Sequence, residues 1–478
     1  MHLFENEDMK EYTTKNEQRR VREEEADDLA FRRAVEKKKN ISRTAKEESE
    51  AAFATPKEVN GLASSTTVQT ENKTAKDFFK AIVGAITSRC AKKNGASGEK
   101  KAFRVFLSVI GLMLGMLIVG YTVFVFVPIP FVRKWRDLYI GTAMTTADHQ
   151  WLATYFIPGN IIEDVMSNNK IDTDVIGGYE HLTQPVTGTE TEPEDVTASE
   201  DTGTPPVEDP YKDDILGLKL LSVGGKDYAG NEITVVDEEE GLFISKIDGG
   251  TYKGLVMLID DPSRIFVGTT PAKTTRGYRI GEMMDYYGGV IAGINGSGFS
   301  DPNDCGDGSG IIGYCMSQGE SWGRYAGYMA SLVFTKNDRL VVGVINDWES
   351  YGIRDGLQFG PVLVANGKIN ITAGAAASYG LQPRTAIGQR EDGAIVMLVI
   401  DGRDITYSLG CTIEDMANIM MQYEAVNAGC CDGGSSCVLA YEGVVLNKNS
   451  SANPTYGRRI PNAFLVKSKK AQSTETEN

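Results

Sequence analysis

An uninterrupted apolar run at residues 105–127 (VFLSVIGLMLGMLIVGYTVFVFV) dominates the hydropathy pattern of the chain. A helix of about 20 apolar residues is long enough to cross a lipid bilayer. The run is longer than the apolar part of a cleaved signal peptide, and a long charged segment precedes it. The pattern therefore predicts one transmembrane helix over residues 105–127, with a buried core helix as the alternative.

Polar and amphipathic segments flank this run on both sides. Residues 1–104 are highly charged and predict a cytoplasmic tail that is largely disordered or helical. Residues 128–182 have apolar positions at helical spacing, which predicts a helical juxtamembrane stalk. Residues 183–210 are rich in Thr, Pro and Glu and contain no Lys or Arg, so we expect an acidic linker that holds a C-terminal domain away from the membrane.

Short apolar runs separated by glycine-rich turns fill residues 211–469, and a polar tail follows at residues 470–478. One segment, Thr412–Tyr423, has helical spacing, with Thr412 as its expected N-cap and Asp415 three residues later. Strands with a few helices predict an α+β domain built on a mixed sheet. The predicted strands are Leu242–Ile247, Leu255–Leu258, Ser331–Thr335, Leu340–Ile345, Val362–Ala365, Ala394–Ile400, Cys437–Ala440 and Val444–Leu446.

Charge indicates how the chain is oriented and which partners it excludes. Six Lys or Arg residues lie shortly before residues 105–127 and three follow them, which favours a cytoplasmic N-terminus and an extracellular C-terminal domain, as in a type II single-pass membrane protein. The net charge of −16 argues against nucleic-acid binding. A tail or stalk of this kind is also where we expect an oligomer contact, if the protein forms one.

Histidine and cysteine restrict the chemistry of the final domain, residues 211–469. The three histidines are His2, His149 and His181, so a Ser–His–Asp triad or a His-rich metal site is not available from this domain itself. We expect no metal and no cofactor, because a dinucleotide-binding glycine motif after a strand is also missing. Six of the seven cysteines follow the apolar run, which suggests a disulfide; the first pairing that we expect is Cys305 with Cys315, and buried thiols are the alternative.

Four ordered motifs in the final domain carry a family resemblance. They are Ile294–Phe299 (INGSGF), Gln382–Gly388 (QPRTAIG), Val399–Arg403 (VIDGR) and Cys431–Ser436 (CDGGSS). Their order and spacing resemble the phosphodiester glycosidase family, which includes N-acetylglucosamine-1-phosphodiester α-N-acetylglucosaminidase and bacterial exopolysaccharide-associated proteins. The first motif has Ser297–Gly298–Phe299 where the family usually has Gly-Phe-Phe, and the fourth motif is one glycine shorter than usual.

The resemblance implies an enzyme that hydrolyses the bond between a sugar and a phosphodiester at the anomeric carbon. Asp432, with Asp401, would act on the anomeric centre, and Arg384 would bind the phosphate through its planar guanidinium. Each residue has a structural alternative: an ion pair for Arg384, a hairpin turn for Asp432, and a mutual pair for Asp401 and Arg403.

The same resemblance assigns the substrate-binding residues. Asn295 would bind sugar hydroxyls or else order its loop, and Thr385 would donate a further hydrogen bond. The remaining expected substrate contacts are Gly296, Arg403, Gly433, Gly434, Ser435 and Ser436. The sequence thus predicts a membrane-anchored hydrolase that acts on glycosyl-1-phosphodiesters of an envelope polymer or exopolysaccharide. The alternative is a non-catalytic, membrane-anchored protein that binds glycans or organises the envelope.

Overall fold

The computed structural model describes residues 97–146, 149–168, 175–183, 214–271, 276–300, 306–372 and 374–471. The chain divides into two units, residues 1–111 and residues 112–478. The described part of the first unit is helical, and the second unit contains three β-sheets. The predicted cytoplasmic tail and acidic linker fall almost entirely outside the described residues, so their boundaries stay predictions.

The first described helix, α1, runs over Ser97–Phe126 and contains most of the predicted span. Its segment Phe103–Phe126 has a mean hydropathy of 2.4, and its side chains are largely exposed. In the part of the chain that the structure describes, this is the one helix long and apolar enough to cross a membrane. By length and composition α1 is therefore a candidate membrane span.

In the part of residues 128–183 that the structure describes, four short helices follow α1; the assignment of this region as a stalk stays a prediction. The four helices are α2 (Pro130–Met144), α3 (Trp151–Thr154), α4 (Gly159–Met166) and α5 (Tyr179–Thr183). Proline occupies the first turn of α2, where its missing N–H costs no hydrogen bond. A small apolar cluster that includes Ile140, Ala153 and Val165 holds α2, α3 and α4 together.

Three antiparallel sheets form the body of the second unit. Their orders are β1-β2-β3-β14-β13-β15-β11-β12, β7-β6-β10-β8-β9 and β17-β16-β5-β18-β4. The strands are β1 Ile233–Asp237, β2 Leu242–Asp248, β3 Lys253–Ile259, β4 Ile265–Thr269, β5 Val290–Asn295, β6 Tyr314–Ser317, β7 Glu320–Gly323, β8 Ser331–Thr335, β9 Leu340–Gly343, β10 Ile353–Gln358, β11 Val362–Ala365, β12 Lys368–Ile369, β13 Arg384–Arg390, β14 Ile395–Ile400, β15 Ala425–Cys431, β16 Leu439–Tyr441, β17 Val444–Val445 and β18 Asn462–Lys467.

The α+β class and each of the predicted strands are confirmed, with differences of one or two residues at most ends. The expectation of a mixed sheet was wrong, because every pairing between the described strands is antiparallel. Many neighbouring strands are joined by short glycine-containing turns, and such turns connect antiparallel strands, whereas parallel strands need a long crossover.

Strand β14 shows why the core forms where it does. Ile395, Met397 and Val399 belong to the core shared by the three sheets. The alternating residues Val396 and Leu398 point into a second core on the opposite face of the eight-stranded sheet. Successive side chains of a strand point to opposite faces, so a strand that is buried on both sides must be apolar at every position.

Three helices complete the described part of this unit: α6 (Ile280–Tyr287), α7 (Ala375–Tyr379) and α8 (Ile413–Gln422). The prediction for α8 is confirmed, including its N-terminus. The Thr412 hydroxyl accepts a hydrogen bond from Asp415 N at 3.1 Å, and the Asp415 carboxylate accepts one from Thr412 N at 2.9 Å. This reciprocal capping box fixes the start of α8, whose apolar face covers the second core.

One juxtamembrane helix contacts the final domain. Helix α2 packs directly on α7. The contact is so close that a Cβ at Gly141 would overlap the carbonyl oxygen of Ala377. The expectation that residues 183–210 hold the final domain away from the membrane stays a prediction.

The cysteines of the final domain give no support to a disulfide. Cys411, Cys430, Cys431 and Cys437 are buried free thiols. Burial raises the pKa of the Cys430 thiol to about 12, which keeps it neutral near pH 7. Cys315 is also buried, and Cys305 lies outside the described residues, so the pairing expected for those two stays a prediction.

Candidate active site

Two of the predicted carboxylates lie at one edge of the eight-stranded sheet. Strand β13 begins at Arg384, and its antiparallel neighbours β14 and β15 end at Ile400 and Cys431. Arg384 pairs with Ile400, and Thr385 pairs with Cys431. The residues that follow the two strands, Asp401 and Asp432, therefore emerge at the same edge as Arg384.

A buried amide joins this edge to the sheet that contains β5. Asn295, the last residue of β5, donates from Nδ2 to the carbonyl oxygen of Asp432 at 2.8 Å. Its Oδ1 accepts from Thr385 Oγ1 at 2.7 Å and from Val438 N at 3.1 Å. Asp432 N also donates to Gly296 O at 2.8 Å. These bonds favour the second of the two roles expected for Asn295, the ordering of its loop, and both roles stay predictions.

Asp432 lies in a partly buried environment with two arginines nearby. Its side chain is half-buried at the mouth of the loop, and Oδ1 accepts from Gly433 N at 3.0 Å. Burial raises the pKa of Asp432, against a hydrogen bond from Ser436 and the positive charges of Arg458 and Arg403. A carboxyl group with a raised pKa beside two cations is a common feature of catalytic sites.

Arg458 is a site residue to which the sequence assigned no role. Its guanidinium lies over the ring of Phe299, with Cζ 4.6 Å from the ring centroid, and Nη1 donates to Ser435 Oγ at 3.0 Å. Stacking on an aromatic face holds the guanidinium in one orientation beside Asp432. The sequence suggested Arg458 only as part of the segment that closes the domain, and a site role was not predictable because its contacts lie 23 residues or more away along the chain.

Arg403 approaches the same loop from the other side. It follows β14 in a left-handed conformation, with φ of 64°. Its Nε and Nη2 donate to Gln382 Oε1 at 3.3 and 3.1 Å. A Cβ placed on Gly434 would lie 2.9 Å from Arg403 Nη2, so the glycine gives the guanidinium room against the Asp432 loop. Arg403 is exposed and can therefore reach a ligand in solvent.

The Gly433–Ser436 turn holds its backbone N–H groups in internal hydrogen bonds next to Asp432. Gly434–Ser436 form a short 3₁₀ turn, and Gly434 N donates to Pro383 O at 2.9 Å. Gly434 has a φ of 63°, which explains the glycine at that position. The Ser435 side chain faces Arg458, and the buried Ser436 hydroxyl faces the Asp432 carboxylate.

The altered first motif is accommodated by buried partners. Ser297 N and Oγ donate to Asn462 Oδ1 at 2.7 and 3.1 Å. At Gly298, an added Cβ would lie 2.8 Å from the Phe359 ring and 3.7 Å from Asp432 Oδ1. Glycine at this position therefore leaves open the space beside the carboxylate.

The Arg384 guanidinium donates hydrogen bonds to carbonyl oxygens of the protein. Its Nε donates to Cys411 O at 2.9 Å, and its Nη2 donates to Tyr379 O and Gly380 O at 2.8 and 2.9 Å. The side chain is almost completely buried. These bonds are to carbonyl oxygens and not to a carboxylate, so they differ from the ion pair that was the structural alternative. They favour a structural role, and phosphate binding by Arg384 stays a prediction.

Asp401 is similarly engaged by neighbouring groups. Its Oδ1 accepts from Asn447 Nδ2 at 2.9 Å, and its Oδ2 accepts from Lys448 N at 3.1 Å and from Tyr407 OH at 3.3 Å. The residue is 2 % exposed, and burial raises its pKa. Asp401 lies at the same sheet edge as Asp432, but its two oxygens already have hydrogen-bond partners, so its catalytic role stays a prediction.

No cluster of three or more metal-ligating side chains is present among the described residues. The groups assembled at the site are a carboxylate, two guanidinium groups and hydroxyls. This set can bind an oxyanion and place a carboxylate next to it.

With this geometry in place, the comparisons with known proteins identify the domain. Residues 288–467 match the family model described as phosphodiester glycosidase. The resemblance inferred from the four motifs is therefore confirmed: residues 288–467 of the final domain are similar to the phosphodiester glycosidase family. The matched range includes Asn295, Arg403, Asp432 and Arg458.

Individual relatives are more distant. The SPbeta prophage-derived uncharacterized protein YomE of Bacillus subtilis (strain 168) is 30% identical over 202 residues, which cover 40% of this chain and 29% of that protein. The chain thus spans less than a third of the length of this curated relative.

Similarity to solved structures is also low. The catalytic domain of zebrafish N-acetylglucosamine-1-phosphodiester alpha-N-acetylglucosaminidase has a TM-score of 0.40 and 19% identity, over 48% of this chain and 82% of that one. A hypothetical protein from Synechocystis has a TM-score of 0.36 and 16% identity, over 49% and 64% of the two chains.

Proposed function

We propose that the final domain hydrolyses glycosyl-1-phosphodiesters, releasing the sugar from the phosphate. The observation that carries this proposal is that Arg403 and Arg458 both lie against the Gly434–Ser435 turn that follows Asp432, within the range that matches the family. A carboxylate beside two guanidinium groups suits a substrate that has a phosphate next to an anomeric carbon. The phosphodiester supplies the anion, and the carbon that it leaves develops positive charge.

In the proposed reaction, Arg403 and Arg458 bind the phosphate oxygens. The bond between the anomeric carbon and the phosphate oxygen breaks, and its electron pair leaves with the phosphate monoester. Phosphate is a good leaving group, so this step needs little help from a general acid. Asp432 then acts on the anomeric carbon, either by taking a proton from the attacking water or by bonding to the carbon as a nucleophile. The water oxygen ends on the sugar in both cases.

The proposal places the enzyme at a membrane surface, with α1 as its anchor. Exposed aromatic residues follow the apolar helix closely, among them Phe131, Trp135, Trp151 and Tyr155. Aromatic side chains of this kind are enriched where membrane proteins meet the lipid headgroups. The excess of basic residues before α1 supports a cytoplasmic N-terminus. An extracellular domain would then meet an envelope polymer or exopolysaccharide as its substrate.

The proposal is tested by incubating the purified full chain, in detergent, with a panel of sugar-1-phosphodiesters and measuring the free reducing sugar. We expect release from at least one substrate and a loss of at least about 10³-fold with Asp432→Asn, because the reacting carboxylate is removed. Asp347→Asn is the matched control, since Asp347 is an exposed turn residue bonded to Ser350. Equal activity of Asp432→Asn and the wild type would refute the assignment.

One observation favours the alternative of a non-catalytic glycan-binding protein. A glycosidase usually uses two carboxylates, and here Asp401 is buried and bonded through both oxygens. Calorimetry with the same panel distinguishes the two functions. Binding of a sugar-1-phosphodiester that stays intact over a day would support the binding protein, whereas turnover would support the hydrolase.

A further inference from the structure

Helix α2, which lies outside the range that matches the family, makes close backbone contacts with the segment that leads into β13. Gly380, with φ of 62°, lies so near Thr142 that a Cβ would overlap the Thr142 backbone. Leu381 N donates to Thr142 Oγ1 at 2.9 Å. These contacts join the helix that follows the candidate membrane span to the residues just before Pro383.

The side-chain amide of Gln382 extends this contact to the active site. Its Nε2 donates to Thr142 O at 3.2 Å and to Thr145 Oγ1 at 3.1 Å. Its Oε1 accepts hydrogen bonds from Nε and Nη2 of Arg403. A primary amide is planar, so its donor and acceptor cannot move independently, and holding the nitrogen against α2 fixes the oxygen that receives Arg403.

We infer that helix α2 is part of the active-site structure, and that Gln382 is a positioning residue through which α2 holds Arg403 beside the Asp432 loop. This inference rests on the proposed function, in which Arg403 binds the phosphate of the substrate. Gln382 is 6 % exposed, whereas Arg403 is exposed. The buried amide thus restrains a flexible cation that would otherwise lose side-chain entropy each time it bound an anion.

The consequence is a mechanical link between the membrane-proximal helix and anion binding. If the candidate span moved α2, the hydrogen bonds between α2 and Gln382 would break. Gln382 would then no longer hold the Arg403 guanidinium in place. The substrate already carries the phosphate charge before it reacts, so loss of the Arg403 contact should weaken substrate binding more than it slows the chemical step.

The test compares three variants of the full chain in detergent. Thr142→Val with Thr145→Val removes the two hydroxyls that face residues 381–382 and keeps the β-branched shape. Gln382→Leu removes the amide. Thr146→Val is the matched control, because the Thr146 hydroxyl bonds to Ala143 O within the α2 region. Hydrogen exchange is measured in residues 379–382 and 402–411, with β5 as the internal reference, together with the Kd for inorganic phosphate and the KM and kcat for any substrate found.

We expect the double variant and Gln382→Leu to speed exchange in residues 402–411, to raise the phosphate Kd and the KM about fivefold or more, and to change kcat less than about twofold. Thr146→Val should change none of them. Faster exchange confined to residues 379–382, with phosphate Kd and KM unchanged, would overturn the inference, as would no change in exchange.

The proposed function can fail separately from this inference. If no sugar-1-phosphodiester is hydrolysed, the exchange measurement and the phosphate Kd still decide whether α2 positions Arg403. If wild-type protein binds no phosphate either, the exchange pattern alone decides: faster exchange at residues 402–411 in the double variant supports the link, and its absence contradicts it.

Discussion

Replacing Asn295 with alanine tests how the two sheets are joined at the site. The side chain is completely buried and makes three hydrogen bonds. Alanine would leave the Thr385 hydroxyl, the Val438 N–H and the Asp432 carbonyl without this partner in the protein interior. A buried polar group that loses its partner costs about 1–3 kcal/mol, so we expect a loss of at least about 3 kcal/mol in the free energy of unfolding.

At about 2–4 °C per kcal/mol for a domain of this size, this corresponds to a fall in Tm of at least about 6 °C. The assay is thermal unfolding of the full chain by circular dichroism, supported by urea titration. Asn370→Ala is the matched control, because the Asn370 side-chain nitrogen has no hydrogen-bond partner among the described residues. We expect that control to lose less than about 1 kcal/mol.

The competing role of Asn295, binding of sugar hydroxyls, makes the opposite prediction. A ligand residue would raise KM when replaced and leave the Tm within about 1 °C of the wild type. That result would refute the reasoning that Asn295 holds the Asp432 loop on β5. It would also remove the main structural reason for the position of Asp432.

The same geometry predicts the behaviour of three further side chains. Asp432→Asn should not lower the Tm at pH 7. Burial raises the folded-state pKa of this acid, so its ionisation lowers the stability of the protein as pH rises through that pKa. The neutral amide of asparagine does not ionise and avoids this loss. Because of the same raised pKa, wild-type kcat/KM should fall on acidification at a pH above the usual range of a carboxyl group, and a profile that is flat down to about pH 4 would contradict this. Arg384→Ala should lower the free energy of unfolding, measured by urea titration, by about 3 kcal/mol, because three carbonyl oxygens lose a charged donor. An unchanged free energy of unfolding with a higher KM would instead support Arg384 as a phosphate ligand. Arg458→Ala should lower kcat/KM about 100-fold. Arg458→Lys should recover little of this loss, because lysine has no planar guanidinium to place over the Phe299 ring. Full recovery with lysine would show that charge alone matters.

Local patterns in the sequence predicted the elements that depend on local physics. The continuous apolar run of β14 indicated a strand buried on both faces, and Thr412 with Asp415 indicated the start of α8. The apolar run at residues 105–127 indicated a single long helix, which the structure forms over Ser97–Phe126. In each case the pattern that indicates the element lies within one continuous segment of the chain.

The site was only partly predictable, because the decisive contacts are distant in sequence. Asp432 was recognised from its glycine-rich turn, but its neighbour Arg458 was not assigned a role, and the amide of Gln382 was not expected to connect two parts of the molecule. An arginine in a family motif can bind a phosphate or a set of carbonyl oxygens, and only the folded structure shows the carbonyls around Arg384. The packing of α2 on the domain likewise has no local sequence signal.

The most direct test of the central claim is to follow where water oxygen goes during turnover. A sugar-1-phosphodiester that the panel identifies as a substrate is incubated with the full chain in H₂¹⁸O, and the phosphorus-31 spectrum of the phosphomonoester product is recorded. Attack at the anomeric carbon, as proposed for Asp432, predicts a phosphomonoester free of ¹⁸O and labelled sugar by mass spectrometry at early times. An ¹⁸O-shifted phosphorus signal would show that the phosphorus–oxygen bond is cleaved, and it would contradict the assignment of this site as a glycosidase.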